Sequence, residues 1–169
     1  MVAFKAIFLD RDGVINEDRG YVYKQDDFIF KKHIFEALRH FQKHGYLIFV
    51  VTNQSGIARG YYSEDDFLKL TEYMMDKFAK NGITITKLYY CPHAPEANCS
   101  CRKPNPAMLL KAKNEFDVDM SASWLIGDKQ SDIEAAARAG ITNAIYFGEG
   151  ENTAKYRIKS LKEAVEIIL

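Results

Sequence analysis

Cysteine is scarce in this chain and confined to one place: three in 169 residues, all between positions 91 and 101. So few thiols, odd in number, exclude a disulfide framework. An excess of either charge is also missing, since 23 basic side chains face 23 acidic ones. That balance provides no polybasic surface, so neither nucleic acid nor an anionic membrane is expected as a partner. No apolar run is long enough to cross a membrane. The start, MVAFKAIFLDRDG, meets charges before the apolar core of a signal peptide can form. Low-complexity tracts, linkers and repeats are absent too, so residues 1–169 are expected to form one domain with one core. From these absences the chain is expected in the cytoplasm, where clustered thiols bind metal more often than they pair.

What the chain does contain is a regular alternation of strand and helix signals. Residues 4–10, 46–51, 83–90, 123–128 and 143–147 are short apolar runs of the kind buried on both faces of a parallel sheet. Between them lie helical patterns. Residues 32–44 put Ile34, Phe35, Leu38 and Phe41 on one face and stop at Gly45. Ser63 is a cap for a helix running to Asn81-Gly82. Asn105-Pro106 suits a cap and first turn, and SDIE (131–134) and SLKE (160–163) have the form of capping boxes. The expected fold class is α/β: a Rossmann-like three-layer sandwich with a central, mostly parallel sheet and right-handed crossovers.

In such sheets ligands bind beyond the carboxyl ends of the strands. Asp10 and Asp12 follow the first strand, Thr52-Asn53 the second, Arg102-Lys103 the third and Asp128 the fourth. Carboxylates brought together there repel unless a cation neutralises them, and hard oxygen ligands suit Mg²⁺. A lysine, a hydroxyl and loop amides nearby form a phosphate cradle. Taken singly, each motif is also compatible with turn chemistry. A calcium loop starting at Asp10 is excluded, because Val14 and Tyr21 stand where oxygen ligands are needed.

The segments FLDRDGVIN, VVTNQSGIARGYY, CRKPNPAML and LIGDKQSDIEAA resemble the four ordered motifs of the haloacid dehalogenase (HAD) superfamily of phosphatases. Within it, YYCPH…CSCRKP and GIARGYY resemble the heptose bisphosphate phosphatases and their histidinol-phosphate phosphatase relatives. The resemblance runs from about residue 4 to 147 and implies a Mg²⁺-dependent phosphomonoester hydrolase. Asp10 would be the nucleophile, and Asp12 the acid and later the base. Thr52 and Lys103 would stabilise the phosphoryl group. Asp10, the Asp12 carbonyl, Asp128 and Lys129 would form the Mg²⁺ site, with Asp132 behind them. Asp18, Arg19, Gly20, Tyr21, Thr52, Asn53, Gln54, Ser55, Arg102 and Lys103 would bind the substrate, a small sugar bisphosphate. The implied reaction removes the 7-phosphate of D-glycero-D-manno-heptose 1,7-bisphosphate, with histidinol phosphate as the rival substrate. Retention of Asp10, Asp12, Lys103 and Asp128 together opposes a merely phosphate-binding module, which needs neither nucleophile nor acid. The gaps between motifs leave no room for a cap domain, so substrate selection falls to short loops, and a monomer is expected.

The thiols are then read with their neighbours. Cys91, His93, Cys99 and Cys101 supply three thiolates and an imidazole, enough to close a tetrahedral Zn²⁺ shell. Four protein ligands leave no open position, so this zinc would be structural, holding a short loop that aims Arg102 and Lys103. Isolated buried thiols and a single disulfide are the weaker readings, because the segment is polar and a pair would strand the third cysteine. His33, His40 and His44 are read as solvated helix residues.

Overall fold

The computed structural model describes residues 3–168. Six strands form one parallel sheet in the order β3–β2–β1–β4–β5–β6. They are β1 (Ala6–Leu9), β2 (Leu47–Asn53), β3 (Lys87–Cys91), β4 (Trp124–Gly127), β5 (Asn143–Phe147) and β6 (Tyr156–Ile158). The helices are α1 (Ile34–Lys43), α2 (Ser55–Ala58), α3 (Glu64–Lys80), α4 (Ala107–Phe116), α5 (Gln130–Arg138) and α6 (Leu161–Ile167).

Successive strand residues face opposite sides of a sheet, so a strand covered on both sides must be apolar throughout. Here Ile7, Leu9, Ile48, Val50, Ile126 and Ile145 pack with α1, α3 and α6. Ala6, Phe8, Phe49, Val51, Leu125 and Ala144 pack with α4 and α5 on the other side. The result is the expected three-layer sandwich. The chain runs outward from β1 to β3, then returns to place β4 on the other flank of β1. Loops leaving β1 and β4 therefore diverge, and the crevice between them is the natural binding place in an open α/β sheet. Between β1 and α1 the described chain has only a 3-10 turn (Gln25–Asp27) and isolated bridges, not a cap domain. No helix among the described residues is long and apolar enough to cross a membrane.

Several local expectations are corrected. The third strand begins at Lys87 rather than Ile83, because Ile83 closes the end of α3 with its amide on the Phe78 carbonyl (2.9 Å). Cys91 ends that strand, fully buried, rather than lying in the polar loop. The short edge strand β6, with Arg157 exposed between Tyr156 and Ile158, has too little apolar alternation to be read. Ser63 and Ser160 do cap α3 and α6. SDIE does not act as read: α5 begins at Gln130, and it is Asp132 that accepts from the Lys129 amide (3.1 Å). Asn105 makes no helix cap either, since its side chain donates to the Cys99 carbonyl (2.9 Å).

Candidate active site

Asp10 stands one residue past β1, with its amide on the Ile126 carbonyl (3.2 Å), and is buried between the β1 and β4 loops. Lys103 reaches it from the far end of the thiol loop: its Nζ donates to Asp10 Oδ1 (3.1 Å) and to the Val51 carbonyl (2.9 Å). The same ammonium lies 2.6 Å from Asp132 Oδ1. Asp132 Oδ2 accepts from the amides of Asp128 and Lys129 (3.2 and 3.1 Å). Both Asp132 oxygens are therefore committed, which makes this residue a brace for Lys103 and the β4 loop.

Ligand oxygens of Asp10, Asp128 and Asp132 lie within 4.8 Å of one another. Three carboxylates share one ammonium, which leaves the group negative. Burial, then Asp132, push the Asp10 carboxyl well above its ordinary value despite the pull of Lys103. Burial and Asp132 also raise Asp128. Burial alone would lower Lys103, but Asp10 and Asp132 outweigh it and hold the ammonium charged. Asp128 Oδ1 is buried without a protein partner. An orphaned anionic oxygen beside a buried carboxylate, in a group short of positive charge, fits a hard divalent cation. Gly13 is required here: its φ is +93°, and a Cβ would fall 2.0 Å from Asp128 Oδ2.

Asp12 lies toward solvent from this group. Its Oδ1 accepts from Arg11 Nη2 (2.8 Å), Arg11 Nε (3.2 Å) and Asn16 Nδ2 (3.0 Å), and its Oδ2 from Gln54 Nε2 (3.2 Å). It opens onto a cleft of about 530 Å³, within the usual range for a small-molecule site. Asp18, Gly20, Tyr21, Asn53, Gln54, Ser55, Arg102, Lys103 and Lys129 all line that cleft, whereas Arg19 does not. Thr52 is buried just beneath, its hydroxyl accepting from Gln54 Nε2 (2.9 Å). Asn53 gives both ends of its amide to the Lys103 backbone (3.1 and 3.3 Å), so it ties the thiol loop to β2.

The thiol loop closes on itself. Cys91 Sγ lies 3.5 Å from both His93 Nδ1 and Cys99 Sγ, His93 Nδ1 lies 3.3 Å from Cys101 Sγ, and the Cys99 and Cys101 sulfurs are 3.7 Å apart. A tetrahedron with metal–sulfur bonds of about 2.3 Å has edges of about 3.8 Å, so one metal ion fits inside. All three thiols are free. Burial pushes the Cys91 thiol up. Burial also opposes ionisation of Cys99, but hydrogen bonds from the Arg102 amide, Cys91, Cys101 and His93 bring it down to about 6.

Comparison with known proteins agrees with this geometry. Residues 100–164 match the HAD-hydrolase-like family model. The chain is 53% identical over 161 residues to the D-glycero-alpha-D-manno-heptose-1,7-bisphosphate 7-phosphatase of Campylobacter jejuni, covering 94% of this chain and 92% of that one. This chain belongs to the heptose-bisphosphate 7-phosphatase family of HAD-like hydrolases. Another member of the family, the D-glycero-beta-D-manno-heptose-1,7-bisphosphate 7-phosphatase of Helicobacter pylori, is 45% identical over 168 residues and 97% of each chain. The crystal structure of D,D-heptose 1,7-bisphosphate phosphatase from B. bronchiseptica, complexed with magnesium and phosphate, matches with a TM-score of 0.86 at 29% identity, covering 97% of both chains.

Sequence reading assigned no site role to five residues that line the cleft: Arg59, Tyr62, Pro95, Pro104 and Ser131. Arg59 and Tyr62 lie within GIARGYY, a segment noted for its resemblance and without a role for each residue. Ser131 reads as a helix cap. Arg11, fully buried against Asp12, was hidden because a charged residue in a loop reads as solvated.

Proposed function

We propose that this chain hydrolyses the 7-phosphate of D-glycero-D-manno-heptose 1,7-bisphosphate through an aspartyl-phosphate on Asp10. The observation that carries the reading is the Lys103–Asp10 contact at the switch point of the sheet, with Asp12 on the open side. Asp10 attacks phosphorus, the bond to the sugar oxygen breaks, and Asp12 gives that oxygen a proton. Asp12, now a carboxylate, takes a proton from water as it attacks the aspartyl-phosphate, which frees phosphate and restores Asp10. Lys103 and Thr52 hold the phosphoryl oxygens through both steps. Asp10, the Asp12 carbonyl and Asp128, with Lys129 beside them, would hold Mg²⁺, which when bound offsets the repulsion between carboxylate and phosphate.

Arg102 and the residues around the outer cleft would receive the remainder of the sugar and its second phosphate. Zn²⁺ is the proposed occupant of the thiol cluster, supported by its three sulfurs, one imidazole and tetrahedral spacings. The chain is proposed to act in the cytoplasm as a single-domain monomer, since a small domain without a cap needs no partner to form its site. The test is phosphate release with Mg²⁺ from both anomers of the heptose bisphosphate and from histidinol phosphate. The reading expects kcat/KM to favour a heptose anomer by at least about a hundredfold, the scale of losing charge-assisted contacts. Equal rates with histidinol phosphate would overturn the substrate.

A further inference from the structure

We propose that Gln54 is a positioning residue for Asp12, anchored by Tyr62, and that Asp12 Oδ2 is the atom that carries the transferred proton. The proposal rests on the reading of Asp12 as the acid. The two oxygens of Asp12 are unequal. Oδ1 accepts from three donors, two on Arg11 and one on Asn16. An oxygen so occupied has no lone pair left for a proton. Among the described residues, Oδ2 accepts only from Gln54 Nε2.

The carboxylate cannot exchange these roles by rotation. Arg11 is 1% exposed. Its Nη2 also donates to the Val22 carbonyl (2.8 Å), and its guanidinium sits 5.7 and 5.8 Å from the ring centres of Phe28 and Phe67. Turning the protonated Asp12 over would set its O–H against the Arg11 donors and break a part-buried, two-point ion pair.

Gln54 is 3% exposed and its amide is fully spent. One N–H goes to Asp12 Oδ2 and the other to Thr52 Oγ1, while its carbonyl accepts from Tyr62 Oη. The opposite amide orientation would set oxygen against the carboxylate, acceptor against acceptor, so the network fixes this one. No donor remains on this side chain for a substrate. What it does is hold the proton-carrying oxygen at a set place relative to Thr52, whose hydroxyl accepts from the same amide.

Tyr62 completes the arrangement. Its ring stacks on Tyr23 (5.3 Å, 14°), and its hydroxyl reaches Gln54 over Gly56. A Cβ at position 56 would lie 2.2 Å from the Tyr62 ring, so glycine is needed for the approach. Burial raises the Tyr62 hydroxyl to about 12, which keeps it a donor in the working range. The GIARGYY segment thereby gains a role, since it seats the ring that fixes Gln54.

The test is kcat/KM over a series of aryl phosphates, from phenyl to 2,4-dinitrophenyl phosphate, for Asp12→Asn, Gln54→Leu and Tyr62→Phe. Dinitrophenolate leaves without a proton, whereas phenolate benefits from one. Asp12→Asn should lose about a hundredfold or more on phenyl phosphate, the scale of general-acid catalysis, with the loss shrinking along the series. Gln54→Leu should reproduce that slope with a loss of roughly tenfold on phenyl phosphate, as expected of a misplaced rather than missing acid. Tyr62→Phe, which keeps the ring stack, should show a loss of about threefold with the same slope. Inhibition by inorganic phosphate should be unchanged in Gln54→Leu and Tyr62→Phe. A loss in Gln54→Leu that is equal for every leaving group, or that appears as weaker phosphate inhibition, overturns the proposal. If Gln54→Leu does not fold, a flat profile in folded Tyr62→Phe overturns it instead. A flat profile in Asp12→Asn would remove the acid assignment itself, and this proposal with it.

Discussion

The carboxylate crevice and the thiol loop both gather anionic side chains around a space for a cation, yet the protein holds them in opposite ways. Asp10 and Asp128 stand at the ends of adjacent central strands, β1 and β4, paired in register and buried on both faces. Lys103 and Asp132 brace them from the sides. The crevice would keep its shape with no ion, at the cost of repulsion. Cys99 and Cys101 sit on a segment whose only regular structure is a 3-10 turn, Pro95–Ala97. Its geometry comes from its ligands and a few polar contacts. In the crevice the fold sets the geometry and a bound cation would correct the charge; in the loop a bound cation would set the geometry. Lys103 joins the two, leaving the loop and ending in the crevice.

The largest expected effect tests the first half of that contrast. Asp10→Asn should lower turnover by at least about a thousandfold, because the proposed nucleophile is gone. It should not unfold the protein. A carboxyl whose pKa rises on folding contributes stability that is full below about pH 4 and lost as pH rises through its folded value. In chelator, Asp10→Asn should therefore be more stable than the parent at neutral pH, with the gap closing toward pH 4. Mg²⁺ should narrow the gap by stabilising the parent. Thermal unfolding across pH, with and without Mg²⁺, checks this. A variant less stable than the parent at neutral pH would mean that the crevice depends on Asp10 for its shape.

A smaller and more selective effect belongs to the residues that link the regions. Lys103→Ala should cut turnover of both the bisphosphate and p-nitrophenyl phosphate by about a hundredfold to a thousandfold, as when one charge-stabilising donor is lost. The Arg102 side chain, half-buried, reaches only the His93 carbonyl (3.5 Å) among the described residues and lines the cleft. Arg102→Ala should lower kcat/KM for the bisphosphate by roughly tenfold to a thousandfold, about one or two charge-assisted contacts. The minimal ester should be nearly unaffected. Equal damage to both substrates would show that Arg102 serves the loop.

The same contrast decides what was legible from sequence. The strands around the switch point were readable because burial on both faces demands unbroken apolar runs such as AIFL, and the carboxylates follow those runs directly. The thiol cluster was readable by composition, since nothing else in the chain uses cysteine. What escaped were residues whose role depends on folding. Arg11 is charged yet fully buried, and only its cage of Phe28 and Phe67 explains why. Tyr62 carries no role in the linear sequence and becomes a polar anchor only because Gly56 admits it. Asn105 reads as a cap and instead braces a loop. β6 is an edge strand of three residues, too short for any period to show.

The smallest effects should come from loosening the loop without touching the crevice. Cys99→Ser removes one sulfur, and since the remaining three ligands leave an open position, zinc should be lost far more readily to chelator. Turnover should fall with the share of molecules whose loop has loosened, and Mg²⁺ should still support the chemistry in the folded fraction, where Asn53 holds the Lys103 backbone. Asn105→Ala is gentler. Its Nδ2 donates to the Cys99 carbonyl (2.9 Å), and its Oδ1 accepts from Arg138 Nη1 (3.4 Å). The first contact fixes the backbone of a ligand, and the second ties the loop to α5. Losing a half-buried hydrogen bond of this kind costs about 1 kcal/mol, which corresponds to roughly fivefold faster zinc release. Asn53 still holds the Lys103 backbone from β2, so turnover of zinc-loaded Asn105→Ala should match the parent. Zinc release, followed with a chromogenic chelator, would separate the two arms of the comparison. Faster release at unchanged turnover supports a loop governed by its ion and a crevice governed by its sheet. A matching loss of turnover in the zinc-loaded variant would show that the loop's polar braces shape the crevice as well.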